Sequence, residues 1–228
     1  MKITPPETLK PRKTPIQARS AATVDAIFLA TIQVLLAEGA QRLTTTRVAE
    51  RAGVSVGTMY QYFPHKQALL YAVVHQHLAE FVEAFETACL KHHNESIAAM
   101  TEGMVNAFLD SKTRDPDATR ALYKIAGELD TEELRFGTAK GLQGACTALL
   151  DSATDATFDD LPDIAFTLLT AMNGTTRAVF EFGAQPRLVQ MLRVQLLALC
   201  RGYLQIMNRG GPAMPISGIP YSDVRCYA

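Results

Sequence analysis

Apolar side chains recur at spacings of three and four residues along most of the chain, which is the pattern of helices that bury one face. The first stripe follows Ser20 and consists of Val24, Ile27, Phe28, Thr31, Val34 and Leu35. Glu38 and Gly39 then supply a helix stop. A long helix predicted from Lys66 to about Leu90 carries the stripe Leu69, Leu70, Val73, His77, Phe81 and Phe85.

The remainder of the chain repeats this pattern. Further helices are predicted near residues 95–112, 117–129, 131–152, 162–183 and 187–208, with breaks at Asp115-Pro116, Asp130-Thr131, Leu161-Pro162 and Gly183 to Pro186. No alternating apolar and polar segment bounded by turn residues indicates a strand. The sequence therefore predicts an all-α fold.

The last two predicted helices, 162–183 and 187–208, are apolar on more than one face. A helix of this kind has to be covered on both sides. The cover can come from the chain's own core or from a second subunit. We favour a homodimer through these two helices, and a protein that is monomeric at micromolar concentration would exclude it.

Composition and the distribution of charge indicate a globular protein with a basic N-terminal third. The 228 residues are 48% apolar and 20% charged, which is globular composition and excludes an intrinsically disordered chain. Residues 1–75 hold nine Lys/Arg against four Asp/Glu, whereas residues 76–228 hold thirteen against nineteen. A basic head on an acidic body favours binding to a polyanion.

The two ends of the chain lack a helical pattern. Residues 1–18 contain four prolines together with Lys10, Arg12 and Lys13, which is typical of a flexible basic arm. Residues 209–228 are rich in Gly and Pro and are predicted to be a disordered tail. The beginning of the chain lacks the apolar stretch of a secretory signal, and no uncharged apolar run approaches the ~18 residues of a membrane span. Since the four cysteines form no CxxC motif, we expect a cytoplasmic protein without membrane contact.

The most informative segment is LTTTRVAERAGVSVGTMYQYFPHKQALL, residues 43–70. Thr44 or Thr45 can cap a first short helix, which Gly53 ends, and Ser55 can cap a second one. Two short helices around a tight turn are typical of a helix-turn-helix.

The second short helix exposes small or uncharged groups that suit close contact with DNA. Gly57 lets the backbone approach, Val56 and Thr58 can touch a thymine methyl group, and Gln61 can bond a base edge. Met59 and Phe63 are expected to enter the core instead. The groups that can reach phosphates are Thr45, Thr46, Tyr60, Tyr62 and Lys66.

This segment resembles the DNA-binding domain of the TetR family of bacterial transcriptional regulators. The residues that carry the resemblance are Thr44-Thr45, Val48-Ala49, Ala52-Gly53-Val54-Ser55, Gly57-Thr58-Met59-Tyr60, Tyr62-Phe63, Lys66 and Ala68-Leu69-Leu70. With the helix that ends at Glu38-Gly39, the resemblance covers residues 19–75, about a quarter of the chain. The rest is similar to the family only in length and helical pattern.

The resemblance implies a homodimer that binds double-stranded DNA at a quasi-palindromic operator. It implies an N-terminal three-helix domain at residues 19–66 and a C-terminal helical regulatory and dimerisation domain at residues 67–208. It also implies that a small-molecule effector moves the long connecting helix and releases DNA. The DNA-facing residues implied by the motif are Thr45, Thr46, Ser55, Val56, Gly57, Thr58, Tyr60, Gln61, Tyr62 and Lys66.

An effector pocket between the central helices is a further expectation. Its lining is predicted from the aromatic and methionine positions, with two polar groups that could orient a ligand. These residues are Phe81, Phe85, Met104, Phe108, Tyr123, Phe136, Met172, Asn173 and Arg177. Such a lining favours a small apolar or aromatic effector, although stripes of this kind also occur as simple core.

Three other groupings could carry chemistry. Metal-ligand spacing occurs at Cys89, His92 and His93, with His75 and His77 upstream, but it falls at what looks like an exposed helix end. The cysteines have apolar neighbours and are expected to be buried thiols. An acidic cluster, Glu128, Asp130, Glu132 and Glu133, is best explained as a solvated helix start. We therefore predict no metal, no cofactor and no enzyme activity.

The sequence thus predicts a transcriptional repressor that binds a palindromic operator and is released by a ligand. An activator or a ligand-independent regulator fits the same residues. A different class, a helical small-molecule carrier with a vestigial DNA-binding head, would bind ligand without selecting a DNA sequence. A partner-binding module would instead form a stable heteromeric complex.

Overall fold

The structure is a computed structural model that describes residues 6–12 and 18–210, with side chains from Ser20 onward in the second range. After a short 3₁₀ turn at Glu7–Leu9, this part of the chain forms nine α-helices and no strand. Their bounds are α1 Ala18–Arg42, α2 Thr45–Ala52, α3 Val56–Tyr62, α4 Lys66–Lys91, α5 Ile97–Thr113, α6 Pro116–Glu128, α7 Glu132–Asp151, α8 Leu161–Glu181 and α9 Pro186–Met207. The predicted all-α fold is confirmed.

Local sequence signals set most of these boundaries. Side chains accept a hydrogen bond from the first turn at the starts of α2 to α6, the capping residues being Thr44, Ser55, His65, Ser96 and Asp115. Proline lies in the first turn of α6, α8 and α9, where its missing N–H leaves no helical hydrogen bond unmade.

The stop predicted at Glu38-Gly39 is an interruption of α1. Gly39 has φ 80° and ψ 165°, a backbone region open to glycine and strained for other residues. Beyond it the chain makes one more turn to Arg42, and the Leu43 N–H donates to the Gly39 carbonyl at 3.2 Å. The side chain of Leu43 is thereby delivered into the core, 1% exposed.

The long helix α4 belongs to two hydrophobic cores. Its first turns pack with α1, α2, α3 and part of α6 around Ile27, Met59 and Leu69, all fully buried. Its second half packs with α5, α7, α8 and α9 around Phe85 and Met104. Because α4 contributes to both cores, it connects the N-terminal helices, here called the head, with the C-terminal helices, here called the body.

The N-terminal segment has a packed position that the prediction of a flexible arm did not include. Leu9 is 8% exposed within the first core. The Arg12 N–H donates to the Tyr62 carbonyl at 2.8 Å, at the end of α3. Apolar burial at Leu9 therefore holds residues 6–12 beside the head, and the rest of the predicted arm lies outside the described residues.

At the other end, the Arg209 N–H donates to the Thr157 carbonyl at 3.0 Å. The rest of the predicted tail, from residue 211 on, also lies outside the described residues.

One helix of the described chain, Ser20–Arg42, is long and apolar enough to cross a membrane by length and composition, with a mean hydropathy of 1.7. Its apolar stripe faces the first core, where Ile27, Ala30 and Thr31 are at most 2% exposed. One face of this helix is therefore part of the first core, while Leu29 and Leu36 on the same helix are exposed.

Candidate functional site

The helix-turn-helix is built from α2, α3 and the turn between them. Gly53 has φ 68° and ψ 28°, and the next N–H, of Val54, donates to the Ala49 carbonyl at 3.0 Å. This left-handed closure ends α2 and turns the chain into α3. Ser55 then accepts from the Thr58 N–H at 2.9 Å and fixes the start of α3.

The two faces of α3 differ sharply. Met59 and, just after the helix, Phe63 are 0% and 2% exposed, and the Phe63 ring lies 5.7 Å from that of Phe28. The opposite face presents Val56, Gly57, Tyr60 and Gln61 to solvent, and α3 contains no charged residue. Burial of one face thus orients outward an uncharged surface whose amide and methyl groups can contact base edges in a major groove.

Most of the predicted DNA-facing residues lie on this outer side, but three do not hold the positions expected of them. Ser55, Val56, Gly57, Tyr60 and Gln61 are exposed, as is Thr46 at the start of α2, and Thr58 is half-buried.

The three exceptions are Thr45, Tyr62 and Lys66. Thr45 is 7% exposed and shares a 3.2 Å hydrogen bond with the Tyr60 hydroxyl, while Thr44 caps α2. Tyr62 is 6% exposed because it falls on the core side of α3. The Lys66 Nζ donates to the Ala40 carbonyl at the end of α1. Thr45 and Tyr62 are therefore packed within the head, and the Lys66 ammonium links the start of α4 to the end of α1.

Basic side chains flank this surface. Arg47 pairs with Glu38, and Arg51 donates from Nε to the Gln33 side chain at 2.7 Å; both are exposed on α2. Exposed Arg12 lies beside the end of α3 through its backbone hydrogen bond to Tyr62. Sequence reasoning placed Arg12 in a free arm and did not consider Arg47 or Arg51.

A cavity of about 370 Å³ lies in the body between α4, α5, α6, α7 and α8. Five of the predicted lining residues do line it: Phe81, Phe108, Tyr123, Asn173 and Arg177. Four do not. Phe85, Met104 and Met172 are at most 1% exposed and fill the second core, and Phe136 is 67% exposed on the outside of α7.

Apart from Asn173, Arg177 and the Tyr123 hydroxyl, sequence reasoning missed the polar groups of this cavity. Its walls include His77, Lys112, Arg135, Gln143 and Thr138. The signal for Lys112 was its spacing, because it continues the buried stripe of α5 four residues after Phe108 and eight after Met104.

Burial shifts the pKa values of three groups that line the cavity. Desolvation lowers the pKa of Lys112 to about 8. Burial, followed by the nearby Lys112 charge, lowers the pKa of His77. Burial raises the pKa of Tyr123 to about 12, against a smaller opposing effect of Arg177.

An uncharged apolar face runs along the outside of α9. Its exposed apolar members are Met191, Val194, Ala198, Leu199 and Ile206. It lies opposite the buried stripe Leu192, Leu196, Cys200 and Leu204. The charges that flank it point elsewhere, since Arg193 pairs with Asp110 and Arg201 with Glu102. The neighbouring helix α8 has Gly174 on its outer surface, where an added Cβ would meet no atom within 4 Å.

The remaining candidate groupings are structural in this fold. Cys89, Cys146 and Cys200 are free, buried thiols, and burial raises the pKa of Cys89 and Cys200 to about 12. His92 bonds Glu95 at 2.6 Å. Among the described residues no group of three His, Cys, Asp or Glu side chains could hold a metal ion. The four acidic residues at 128–133 are all exposed.

The architecture is that of a helix-turn-helix DNA-binding protein with a helical body. Two family models match it: bacterial regulatory proteins of the tetR family at residues 27–73, and the tetracyclin repressor-like C-terminal domain at residues 96–204. The chain belongs to the tetR family and is a DNA-binding transcriptional regulator.

The chain is also similar to curated proteins over part of its length. The nucleoid occlusion factor SlmA of Haemophilus ducreyi is 29% identical over 107 residues, which are 47% of this chain and 52% of that protein. The chain thus spans about half the length of the curated relatives it matches.

Among solved structures, a putative TetR-family regulator from Mesorhizobium loti MAFF303099 has a TM-score of 0.68 at 14% identity, covering 84% of this chain and 100% of the other. SmeT, the repressor of the Stenotrophomonas maltophilia multidrug efflux pump SmeDEF, has a TM-score of 0.61 at 17% identity, covering 87% and 100%. At these identities the likeness concerns the fold.

Proposed function

We propose that this protein is a cytoplasmic repressor that binds a quasi-palindromic operator as a homodimer. The observation that carries the proposal is the outer face of α3. On this face Val56, Gly57 and Gln61 are exposed and uncharged, while Met59 on the opposite side of α3 is fully buried in the core. This face selects the sequence, and Thr46, Tyr60, Arg12 and the α2 arginines contact phosphates.

The apolar face of α9, together with α8, forms the dimer interface in this proposal. Burying exposed apolar side chains such as Val194 and Leu199 stabilises association, and the face has no charge that would have to be desolvated. A two-fold dimer then presents two α3 helices to successive major grooves, one helical turn or a multiple apart.

The cavity is the effector site in this proposal. It is bounded by α4, which also belongs to the core of the DNA-binding head. A ligand that prefers one position of α4 therefore shifts the spacing of the two heads. Couplings of ~1–3 kcal/mol change DNA affinity by ~5–150-fold, which is enough to release a promoter.

The test measures expression of a reporter gene placed behind an operator, which is first identified by its binding to the purified protein. If the protein is a repressor, expression rises when the regulator gene is deleted and falls when the gene is supplied again. A regulator carrying Gln61→Ala does not lower the expression. Lower expression after deletion would show an activator instead. A protein that binds ligand but selects no DNA would fit a carrier.

A second candidate comes from the match to the SlmA relatives, which are named for nucleoid occlusion. Imaging the nucleoids of a deletion strain beside its transcript profile separates the two roles. Altered nucleoids with unchanged transcripts near the bound sites would favour the second candidate.

A further inference from the structure

Lys112 is a buried cation without an anionic partner in the described part of the chain. Only 5% of its surface is exposed, and it lines the cavity. Its Nζ lies 4.1 Å from the ring centre of Phe81 and 5.2 Å from those of Phe108 and Tyr123. The rings attract the ammonium but do not replace the oxygen acceptors that its three N–H groups had in water.

Three carboxylates of α5 and of the turn that follows it have other partners. Asp115, three residues further along, caps α6 by accepting from the Ala118 N–H at 2.9 Å. Asp110 and Glu102 on the same helix pair with Arg193 and Arg201 of α9. A buried ammonium in such surroundings is costly, and a lysine with a purely structural role would extend its charge to solvent.

Two arginines add further positive charge to the cavity lining. Arg135 of α7 and Arg177 of α8 line the cavity, and His77 of α4 faces Lys112. Arg177 pairs with Glu181, whereas no carboxylate belongs to the cavity lining. Positive groups without a carboxylate among them raise the local concentration of anionic ligands.

A second polar group in the cavity is unpartnered. The Tyr123 hydroxyl is buried and has no hydrogen-bond partner among the described residues. Its ring is held by an edge-to-face contact with Phe180 at 6.0 Å. A buried hydroxyl left in this state is unfavourable unless a ligand can bond it.

We propose that the cavity binds a small organic carboxylate with a planar apolar body, whose charge pairs with Lys112 and whose ring system lies against Phe81 and Phe108. The volume of about 370 Å³ admits a body of two fused rings. This inference rests on the proposed role of the cavity as the effector site, and it adds the chemical class of the ligand.

The test uses two ligands of nearly equal shape, naphthalene-2-carboxylate and naphthalene-2-carboxamide, titrated calorimetrically into the full-length protein. The carboxylate is expected to bind at least ~10-fold more tightly, because an ion-paired hydrogen bond is stronger than a neutral one. Lys112→Met should remove this preference and leave carboxamide binding within about twofold, since methionine replaces most of the unbranched apolar stem and lacks only the charged end. Lys124→Met, at an exposed lysine of α6 outside the cavity lining, is the matched control.

A second measurement needs no variant. Pairing with an anion stabilises the ammonium of Lys112, so carboxylate binding near pH 8.5 should take up protons, and its heat should vary with the ionisation heat of the buffer. The pKa of His77 is lowered and that of Tyr123 is raised to about 12, so neither of these groups takes up a proton near pH 8.5 and mimics the effect. Equal binding of acid and amide, no binding of either, or a preference that survives in Lys112→Met would overturn the inference.

The two proposals fail separately. A carboxylate that binds through Lys112 but leaves operator affinity unchanged would retain this ligand class and reject the effector role. Operator binding without any carboxylate binding would retain the regulator and reject the ligand class. Fluorescence anisotropy of a labelled operator, with and without the carboxylate, distinguishes these cases.

Discussion

The apolar face of α9 allows the proposed dimer to be tested without disturbing the fold. Val194 is 59% exposed in the single chain, so Val194→Glu leaves the buried stripe of α9 intact and places the new charge in solvent within the protomer. The unfolding free energy of the isolated protomer should change by no more than about 0.5 kcal/mol, as for ordinary surface substitutions.

The effect on the dimer should be large because a two-fold axis places the glutamate on both sides of the interface. Each valine removed from the interface takes away about 1 kcal/mol of apolar burial. Each carboxylate drawn into the interface adds a penalty of several kcal/mol unless it stays hydrated. A combined loss above about 4 kcal/mol raises the dimer dissociation constant by roughly three orders of magnitude.

Sedimentation equilibrium over a series of concentrations measures this constant, and thermal unfolding monitored by circular dichroism reports the fold. Leu90→Glu is the matched control, since Leu90 is 68% exposed on α4 rather than on α8 or α9. The reasoning is refuted if Val194→Glu dimerises as tightly as the natural chain, or if Leu90→Glu dissociates to the same extent.

Three further predictions concern the head and the cavity. Met59→Ala, at a fully buried site, should lower the unfolding free energy in urea by about 2–5 kcal/mol, and a loss under 1 kcal/mol would contradict the assigned core position. Tyr60→Ala should weaken binding to all operator variants alike, whereas Gln61→Ala should relax preference at one base pair; equal and negligible losses in both would count against the docking of α3. Lys112→Met should be more stable than the natural chain at pH 7, by up to about 3 kcal/mol, because burial holds the pKa of Lys112 at about 8 in the folded state against 10.5 when unfolded. Between pH 8 and 10.5 the unfolded natural chain binds one more proton at Lys112 than the folded chain does, so the stability of the natural chain rises with pH and the advantage of Lys112→Met shrinks. If urea unfolding gave the same difference in unfolding free energy over this range, the lowered pKa of Lys112 would be excluded as its cause.

Local signals explain why the helices could be predicted from sequence. Caps such as Ser55 and Asp115 act within three residues of their partners, and apolar spacing selects the buried face of each helix. The outward position of Gln61 follows from the inward position of Met59, because a short helix with one buried face has its orientation fixed.

The positions that sequence reasoning missed depend on contacts between distant segments. Tyr62 looked available for phosphate, but the packing of α3 on the head places it in the core. The hydrogen bond of the Lys66 ammonium to the Ala40 carbonyl, 26 residues earlier, could not be read from the sequence either, and phosphate contact by Lys66 stays a prediction. The cavity needed five helices to be brought together, so an aromatic stripe alone could not separate its walls from the packed core around Phe85.

The central claim, a dimer that reads DNA through α3, is tested most directly by selecting bound duplexes from a random library with the purified full-length protein. The account predicts an enriched inverted repeat whose half-sites lie one helical turn or a multiple apart, with an affinity that falls steeply as salt rises. Folded protein that enriches no motif, or only an isolated half-site, would contradict it.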